Sequence, residues 1–362
     1  MNEQLPQDSA RRRFLKSSLL CSAALGAAAV IPRMAGAIEV LNTRYPDPAV
    51  EILDDSFLDL RVFNASVEKL ADGLRWAEGP VWFGDGRYLL VSDIPNNRIV
   101  RWDEISQTLG VYREHSNHSN GLVRDRQGRL IACEGSTTQD VGRRITRTEH
   151  DGTITVLADN FEGTRFNSPN DIVVKRDGSI WFTDPPFQTG GYYEGHKIKP
   201  ELPHGVYRID GETQALTRVI DDIAGPNGLC FSPDEKTLYI VEGRAKPNRL
   251  VWAYTVDDSG TLGERRQHIE ALEYGALDGI KCDEAGNLWC GWGSSGSPQA
   301  NPEGLDGVRV FNPEGKAIGH IHLPERCANM CFGGDNGNRL FMASSHGIYS
   351  LFVNTRGATL VD

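Results

Sequence analysis

The sequence predicts an all-β fold, a six-bladed β-propeller closed by an N-terminal strand around a central metal site. Three observations predict it. Six short stretches resemble one another: Glu78-Gly-Pro-Val-Trp, Asn120-Gly-Leu-Val, Asn170-Asp-Ile-Val-Val, Asn227-Gly-Leu-Cys-Phe, Asp278-Gly-Ile-Lys-Cys and Asn329-Met-Cys-Phe. They recur at intervals of 42, 50, 57, 51 and 51 residues, the spacing of an array whose unit is one supersecondary motif. Beyond the first 37 residues, no stretch carries the apolar period of a long amphipathic helix.

Each unit reads as strands. The first runs Glu78-Gly-Pro-Val-Trp-Phe-Gly-Asp-Gly-Arg-Tyr-Leu-Leu-Val-Ser-Asp93, two apolar runs about an Asp-Gly turn. The flanking runs are β-branched and aromatic and of strand length, and the dipeptide between them is a hairpin signal. A third run follows, as in Arg98-Ile-Val-Arg-Trp or Gly307-Val-Arg-Val-Phe, and a fourth, as in Thr153-Ile-Thr-Val-Leu. Four-stranded units repeated radially are propeller blades. A solenoid would use shorter units and need capping repeats. The last unit ends at Gly347-Ile-Tyr-Ser-Leu-Phe-Val without a fourth strand after it, so Ala65–Leu70 is expected to supply one.

One connection is long. Residues 185–203, rich in Gly, Pro and Tyr, exceed an ordinary hairpin loop. The segment reads either as a lid or pocket wall or as a surface insertion.

With 362 residues, 39% of them hydrophobic, the chain can bury a large core. A formal charge of −11 is the wrong sign for neutralising nucleic-acid phosphates. Residues 1–37 are set apart from the fold. Arg11-Arg12-Arg13-Phe14-Leu15-Lys16 matches the twin-arginine export pattern, Ser17 to Ile31 is weakly apolar, and Ala35-Gly36-Ala37 is a small-x-small cleavage site. The apolar run is shorter than the ~20 residues of a membrane span. The expectation is a cleaved signal, residues 1–37, and a single propeller domain, residues 38–362, in the periplasm without stable membrane insertion. The signal carries five basic and two acidic side chains, so the mature chain stands at −11 − 3 = −14.

Cys133, Cys230, Cys282, Cys290, Cys327 and Cys331 lie beyond the signal, most of them in apolar strand segments. They read as small buried hydrophobes. The Cys327/Cys331 pair lacks the partners of a zinc site.

The first residue of each unit precedes a strand that should line the channel. Glu78, Asn120, Asn170, Asn227, Asp278 and Asn329 would therefore form a ring. Asn and Asp before Gly can simply make turns, but six in register, with acids at only two places, point to a metal site. Oxygen ligands select hard cations such as Ca²⁺, Mg²⁺ or Mn²⁺, and two carboxylates balance a divalent charge.

The set Trp76-Ala-Glu78-Gly-Pro-Val-Trp, Ser119-Asn120-Gly-Leu, Arg165-Phe-Asn-Ser-Pro-Asn170-Asp-Ile, Phe182-Thr-Asp-Pro-Pro-Phe187, Pro226-Asn227-Gly-Leu-Cys-Phe-Ser-Pro-Asp234 and Leu277-Asp278-Gly-Ile resembles the SMP-30/gluconolactonase family. Within it, the likeness is closest to the exported bacterial gluconolactonases. It runs from about residue 70 to about residue 350. It implies a six-bladed propeller with one divalent metal, usually Ca²⁺, with Mg²⁺, Mn²⁺ or Zn²⁺ as other occupants. The implied ligands are Glu78, Asn170, Asn227 and Asp278. Arg165 and Asn167 are implied as substrate contacts, and Asn120 and Asn329 as polar lining, with Asn120 the one expected to reach substrate. Asp171, His118 and the 185–203 segment are weaker candidates.

The implied activity is hydrolysis of a sugar lactone, D-glucono-1,5-lactone to gluconate. The metal would polarise the carbonyl. A carboxylate base would activate water, Asp278 first and Glu78 second, at a gain of ~10²–10⁴. Related lactones or organophosphate esters, or a non-catalytic scaffold with a structural metal, remain open at this point. The chain contains no Gly-x-Ser-x-Gly elbow and no His-Glu-x-x-His, which disfavours serine hydrolases and zincins. Of the nine histidines, only His346 sits where it could face the channel.

Overall fold

The computed structural model describes residues 38–136, 138, 141–300 and 304–358. The expected signal segment lies outside the described residues. Among the described residues, helix is confined to three 3₁₀ segments of three to five residues, and the rest of the regular structure is β.

Each sequence repeat forms one antiparallel sheet, entered at its innermost strand. The first blade uses Ala77–Phe83, Tyr88–Asp93, Arg98–Asp103 and Thr108–Glu114 in consecutive order, and five more sheets follow the same plan. The six innermost strands are Ala77–Phe83, Leu122–Arg124, Ile172–Val174, Pro226–Phe231, Ile280–Cys282 and Cys327–Gly333. Each packs on the next, and the sixth packs on the first, which makes the array a ring of blades.

The last two blades borrow strands from the chain start. Glu68–Asp72 pairs antiparallel with Gly347–Phe352, with Ser350 opposite Glu68, and Glu39–Val40 pairs outside it. The observed strand lies two to three residues beyond the 65–70 expected from sequence. Its one fully inward residue, Leu70, packs into the apolar layer formed by Trp82, Phe341 and Ile348. Val50–Ile52 adds a fifth strand to the preceding blade by pairing with Ile321 to Gly319, a strand the repeat pattern does not announce.

Aromatic residues fill the spaces between blades. Trp82 stacks on Phe341 at 5.0 Å, Trp181 meets Phe231 edge-on at 5.5 Å, and Trp289 meets Phe332 at 5.6 Å. Each pair joins adjacent sheets, and truncating one such ring to Ala typically costs about 3–5 kcal/mol. The six cysteines are free and buried, and burial pushes the thiols of Cys230 and Cys331 up to about 12. They serve as core and channel packing.

Candidate functional site

The repeated anchors reach the axis through two local devices. Glu78, Asn227 and Asn329 lie within their innermost strands, where the pairing register slips, between Glu78 and Val81, Pro226 and Leu229, and Cys327 and Asn329. Such bulges re-aim a side chain out of the alternating pattern. Asn120, Asn170 and Asp278 instead sit two residues before theirs. Here the anchor's own backbone is tied to the neighbouring strand, Asn120 N–H to Cys133 C=O at 2.9 Å and Asn170 N–H to Thr183 C=O at 2.8 Å.

The glycine after an anchor is dictated by the adjacent blade. A Cβ at Gly79, whose φ is +53°, would lie 2.1 Å from the Asn120 carbonyl oxygen. One at Gly228 would lie 2.4 Å from the carbonyl oxygen of Asp278. Only glycine permits this approach, so the Asn-Gly and Asp-Gly repeats record blade-to-blade contact at the axis as well as chemistry.

Five of the six anchors, Glu78, Asn120, Asn170, Asn227 and Asp278, line one cavity of about 350 Å³. Three guanidinium groups, from Arg244, Arg249 and Arg326, share it. Trp76 and Phe187 form apolar walls, and Glu194 reaches in from the long connection. Asn329 lies deeper. Its Oδ1 accepts from Lys281 Nζ at 3.3 Å, and the same ammonium stands 3.6 Å from Asp171 Oδ2. Lys281 in turn lines a second cavity of about 390 Å³ at the far end of the innermost strands, walled by apolar residues such as Val81, Leu122 and Leu229.

Asp278 is the best-connected acid in the cavity. Its Oδ1 accepts from Asn227 Nδ2 at 2.7 Å and its Oδ2 from Arg326 Nη2 at 2.5 Å. Glu78 accepts from the Gly79 N–H at 2.8 Å. Burial, and then the neighbouring charges of Asp278 and Asp171, push the Glu78 carboxyl well above its ordinary value. Two buried carboxylates sharing one cavity, only Asp278 of them paired with a guanidinium, are a poor arrangement without a further cation. Among the described residues no cluster of three His, Cys, Asp or Glu side chains could hold a metal. The donor set here is different, two carboxylates plus carboxamides, and it suits a hard divalent ion. A carboxamide offers nitrogen or oxygen by a half turn, so Asn170 and Asn227 fit the same role.

Arg165 and Asn167 are not brought to the cavity. Arg165 donates to the Gly142 carbonyl at 2.7 Å. Asn167 is fully buried and its side chain is committed to the long connection: Nδ2 donates to Leu202 C=O at 3.0 Å and Oδ1 accepts from the N–H groups of Glu201 and Leu202. Its role here is to hold that segment down. His118 bonds the Ile94 carbonyl through Nδ1, and exposed His346 pairs with Glu325 at 3.0 Å and does not line the cavity.

The 185–203 segment is an ordered wall. Gln188 Nε2 donates to His118 C=O at 2.9 Å, Tyr193 Oη to Arg75 C=O at 3.1 Å, and Ile198 N–H to Thr189 C=O at 3.1 Å. It contributes Phe187 and Glu194 to the cavity. Arg244, Arg249, Arg326 and Glu194 were not singled out by the repeat, because they lie in connecting loops that carry no repeated pattern, Arg326 between two blades and the others between the second and third strands of a blade. The signal available for Glu194 was its place as one of two acids in an over-long connection.

A six-bladed propeller with buried acids and carboxamides converging on one axial cavity defines a class of protein. The chain belongs to a particular family within it: the model for the SMP-30/Gluconolactonase/LRE-like region matches residues 76–346. A gluconolactonase of Zymomonas mobilis is 31% identical over 327 residues, 84% of this chain and 85% of that protein. A pentonolactonase of Haloferax volcanii is 26% identical over 276 residues, 75% of this chain and 82% of that one. Among solved structures, a gluconolactonase of Xanthomonas campestris superposes with a TM-score of 0.74 at 35% identity, over 84% of this chain and 94% of its own.

Proposed function

We propose that this protein is a periplasmic sugar-lactone hydrolase that opens D-glucono-1,5-lactone to gluconate with the help of one divalent cation, calcium in the native protein. The lactone-hydrolase reading rests on the family and on the gluconolactonases it resembles. One observation carries the site: Glu78, Asn170, Asn227 and Asp278, from four separate repeats, line a single cavity. These four would hold the cation. When bound, it supplies Lewis-acid polarisation of the lactone carbonyl.

The chain's own residues account for the rest. Asp278 is the base. Arg326 fixes one of its oxygens and Asn227 orients the other, so the carboxylate is aimed before water arrives. The water proton passes to Asp278 as its oxygen bonds to the carbonyl carbon. The bond from that carbon to the ring oxygen then breaks, and the ring oxygen takes the proton back from Asp278 to become a hydroxyl, which restores the base and leaves the product acid to ionise. Such proton transfer contributes about 10²–10⁴. The guanidiniums of Arg249 and Arg326 favour the negative charge that gathers on the carbonyl oxygen. Burial lowers the pKa of Arg249, yet a guanidinium stays charged in proteins. Asn120 adds a polar group on the wall for a ring hydroxyl, and Trp76 and Phe187 exclude bulk water.

Export is part of the same proposal. Its support is the Arg11-Arg12-Arg13-Phe14-Leu15-Lys16 run. The test of the activity is acid release in a pH-stat from a panel of sugar, aliphatic and aromatic lactones. Turnover no faster than buffer on every lactone would exclude the hydrolase.

A further inference from the structure

The cavity contains three carboxyl groups, and they are not alike. Asp278 accepts from Asn227 and Arg326, and Glu78 from the Gly79 N–H and the Asn329 side chain. Glu194 has neither a hydrogen bond nor an ion pair among the described residues, although it lines the same cavity. The other acid of that connection, Glu201, is paired with Arg143 at 2.9 Å. Glu194 is thus an acceptor turned into the site with nothing from the protein to satisfy it. Burial, with Asp278 adding to it, pushes its carboxyl up to about 7, and Arg326 opposes the shift only partly. The side chain is half-buried, with no protein donor on its carboxylate.

The backbone does not leave Glu194 free to withdraw. The preceding residue is fastened to the first blade through Tyr193 Oη, and the segment's two ends are held by Gln188 and by Asn167. The position is held in place, and the carboxylate's free lone pairs face the cavity, where a ligand's donors can take the place of water. The walls nearby suit a ring that is apolar on its faces and rich in hydroxyls at its edge. Phe187 and Trp76 each carry a guanidinium, Arg244 at 5.0 Å and Arg326 at 5.7 Å from the ring centroids. Hydroxyl groups both donate and accept, so adjacent hydroxyls can satisfy a carboxylate and a guanidinium together.

We propose that Glu194 is the specificity-determining carboxylate of the site: it accepts hydrogen bonds from the ring hydroxyls of a polyhydroxylated lactone and so selects sugar lactones over unsubstituted ones. This rests on the lactone-hydrolase reading above. It takes no part in breaking the ester bond, and it is not a ligand of the cation.

The experiment compares wild type, Glu194→Ala and Glu194→Gln on D-glucono-1,5-lactone and on δ-valerolactone, the same ring without hydroxyls, in saturating Ca²⁺. The readout is the ratio of the two kcat/KM values. The ratio is expected to fall at least tenfold in Glu194→Ala, mainly through KM for the sugar lactone, with Glu194→Gln intermediate. A ratio within twofold of wild type overturns the proposal, whether both activities persist or both fall together as for a lost proton donor or cation ligand. Wild-type protein that opens neither lactone overturns the hydrolase reading itself, and this proposal with it.

Discussion

Asn227 and Asp278 stand 51 residues apart on adjacent blades, and the Asn227 amide donates to Asp278 Oδ1 at 2.7 Å. With Arg326 on the other oxygen, the carboxylate is held from both sides by residues of two different blades. This is the chemical consequence of the repeat: equivalent positions in successive units converge on one another. Asp278→Asn keeps the volume and removes the charge. It is expected to lower kcat by about 10²–10⁴, the range for a lost general base. A variant retaining more than a tenth of wild-type kcat would remove Asp278 from the base position.

Arg326 acts through Asp278 and on the substrate oxygen. Arg326→Ala leaves a buried carboxylate with one donor fewer. Loss of a residue that orients a ligand typically costs 10–100-fold in metal affinity or activity, and that is the fall expected in kcat/KM. Circular dichroism should be unchanged, because the Arg326 head group lies at the cavity and outside the inter-blade core. Wild-type kcat/KM in this variant would show that the ion pair is incidental.

The raised Glu78 carboxyl sets a pH dependence for the metal-free protein. The folded state holds this proton more tightly than the unfolded chain. Its stabilising contribution is therefore complete below the ordinary value of 4.5 and is lost as pH rises through the folded value. Thermal unfolding of chelator-treated protein should show a midpoint that declines from about pH 5 upward. Calcium should raise the midpoint by an amount that grows over the same range, because the cation replaces the proton. A calcium-induced shift that is flat or shrinks with rising pH would contradict the assignment of Glu78.

The strand Glu68–Asp72 covers the edge of the last blade. Deleting residues 38–72 would bare the backbone of Gly347–Phe352 and open the apolar layer around Leu70 and Ile348. Unpaired edges template association, so the truncated chain should aggregate or unfold on expression. A soluble truncation product with wild-type activity would mean that the ring does not depend on this strand.

The architecture was largely legible because a propeller is written as a repeat. The anchors, turns and β-branched runs recur with the blades, and the sheet order follows chain order. The site was legible only where it coincided with that repeat. Glu78, Asn170, Asn227 and Asp278 stand at repeated positions, whereas Arg244, Arg249 and Glu194 stand in loops whose course is set by tertiary contacts. Asn167 shows the opposite limit. It lies three residues from Asn170, but the chain between them turns it away, and it clamps Leu202 and Glu201 instead of lining the cavity. The extra strand Val50–Ile52 was hidden because it belongs to no unit and finds its place only by pairing with an exposed edge.

The central claim is that lactone opening depends on a divalent cation held by the axial acids and carboxamides. Its most direct test is acid release from D-glucono-1,5-lactone by wild-type protein before chelation, after exhaustive EDTA treatment, and after calcium is returned. The account predicts turnover at the buffer rate in the chelated protein and recovery on adding calcium, with no recovery in Asp278→Asn. Undiminished turnover by protein shown to be metal-free would contradict it.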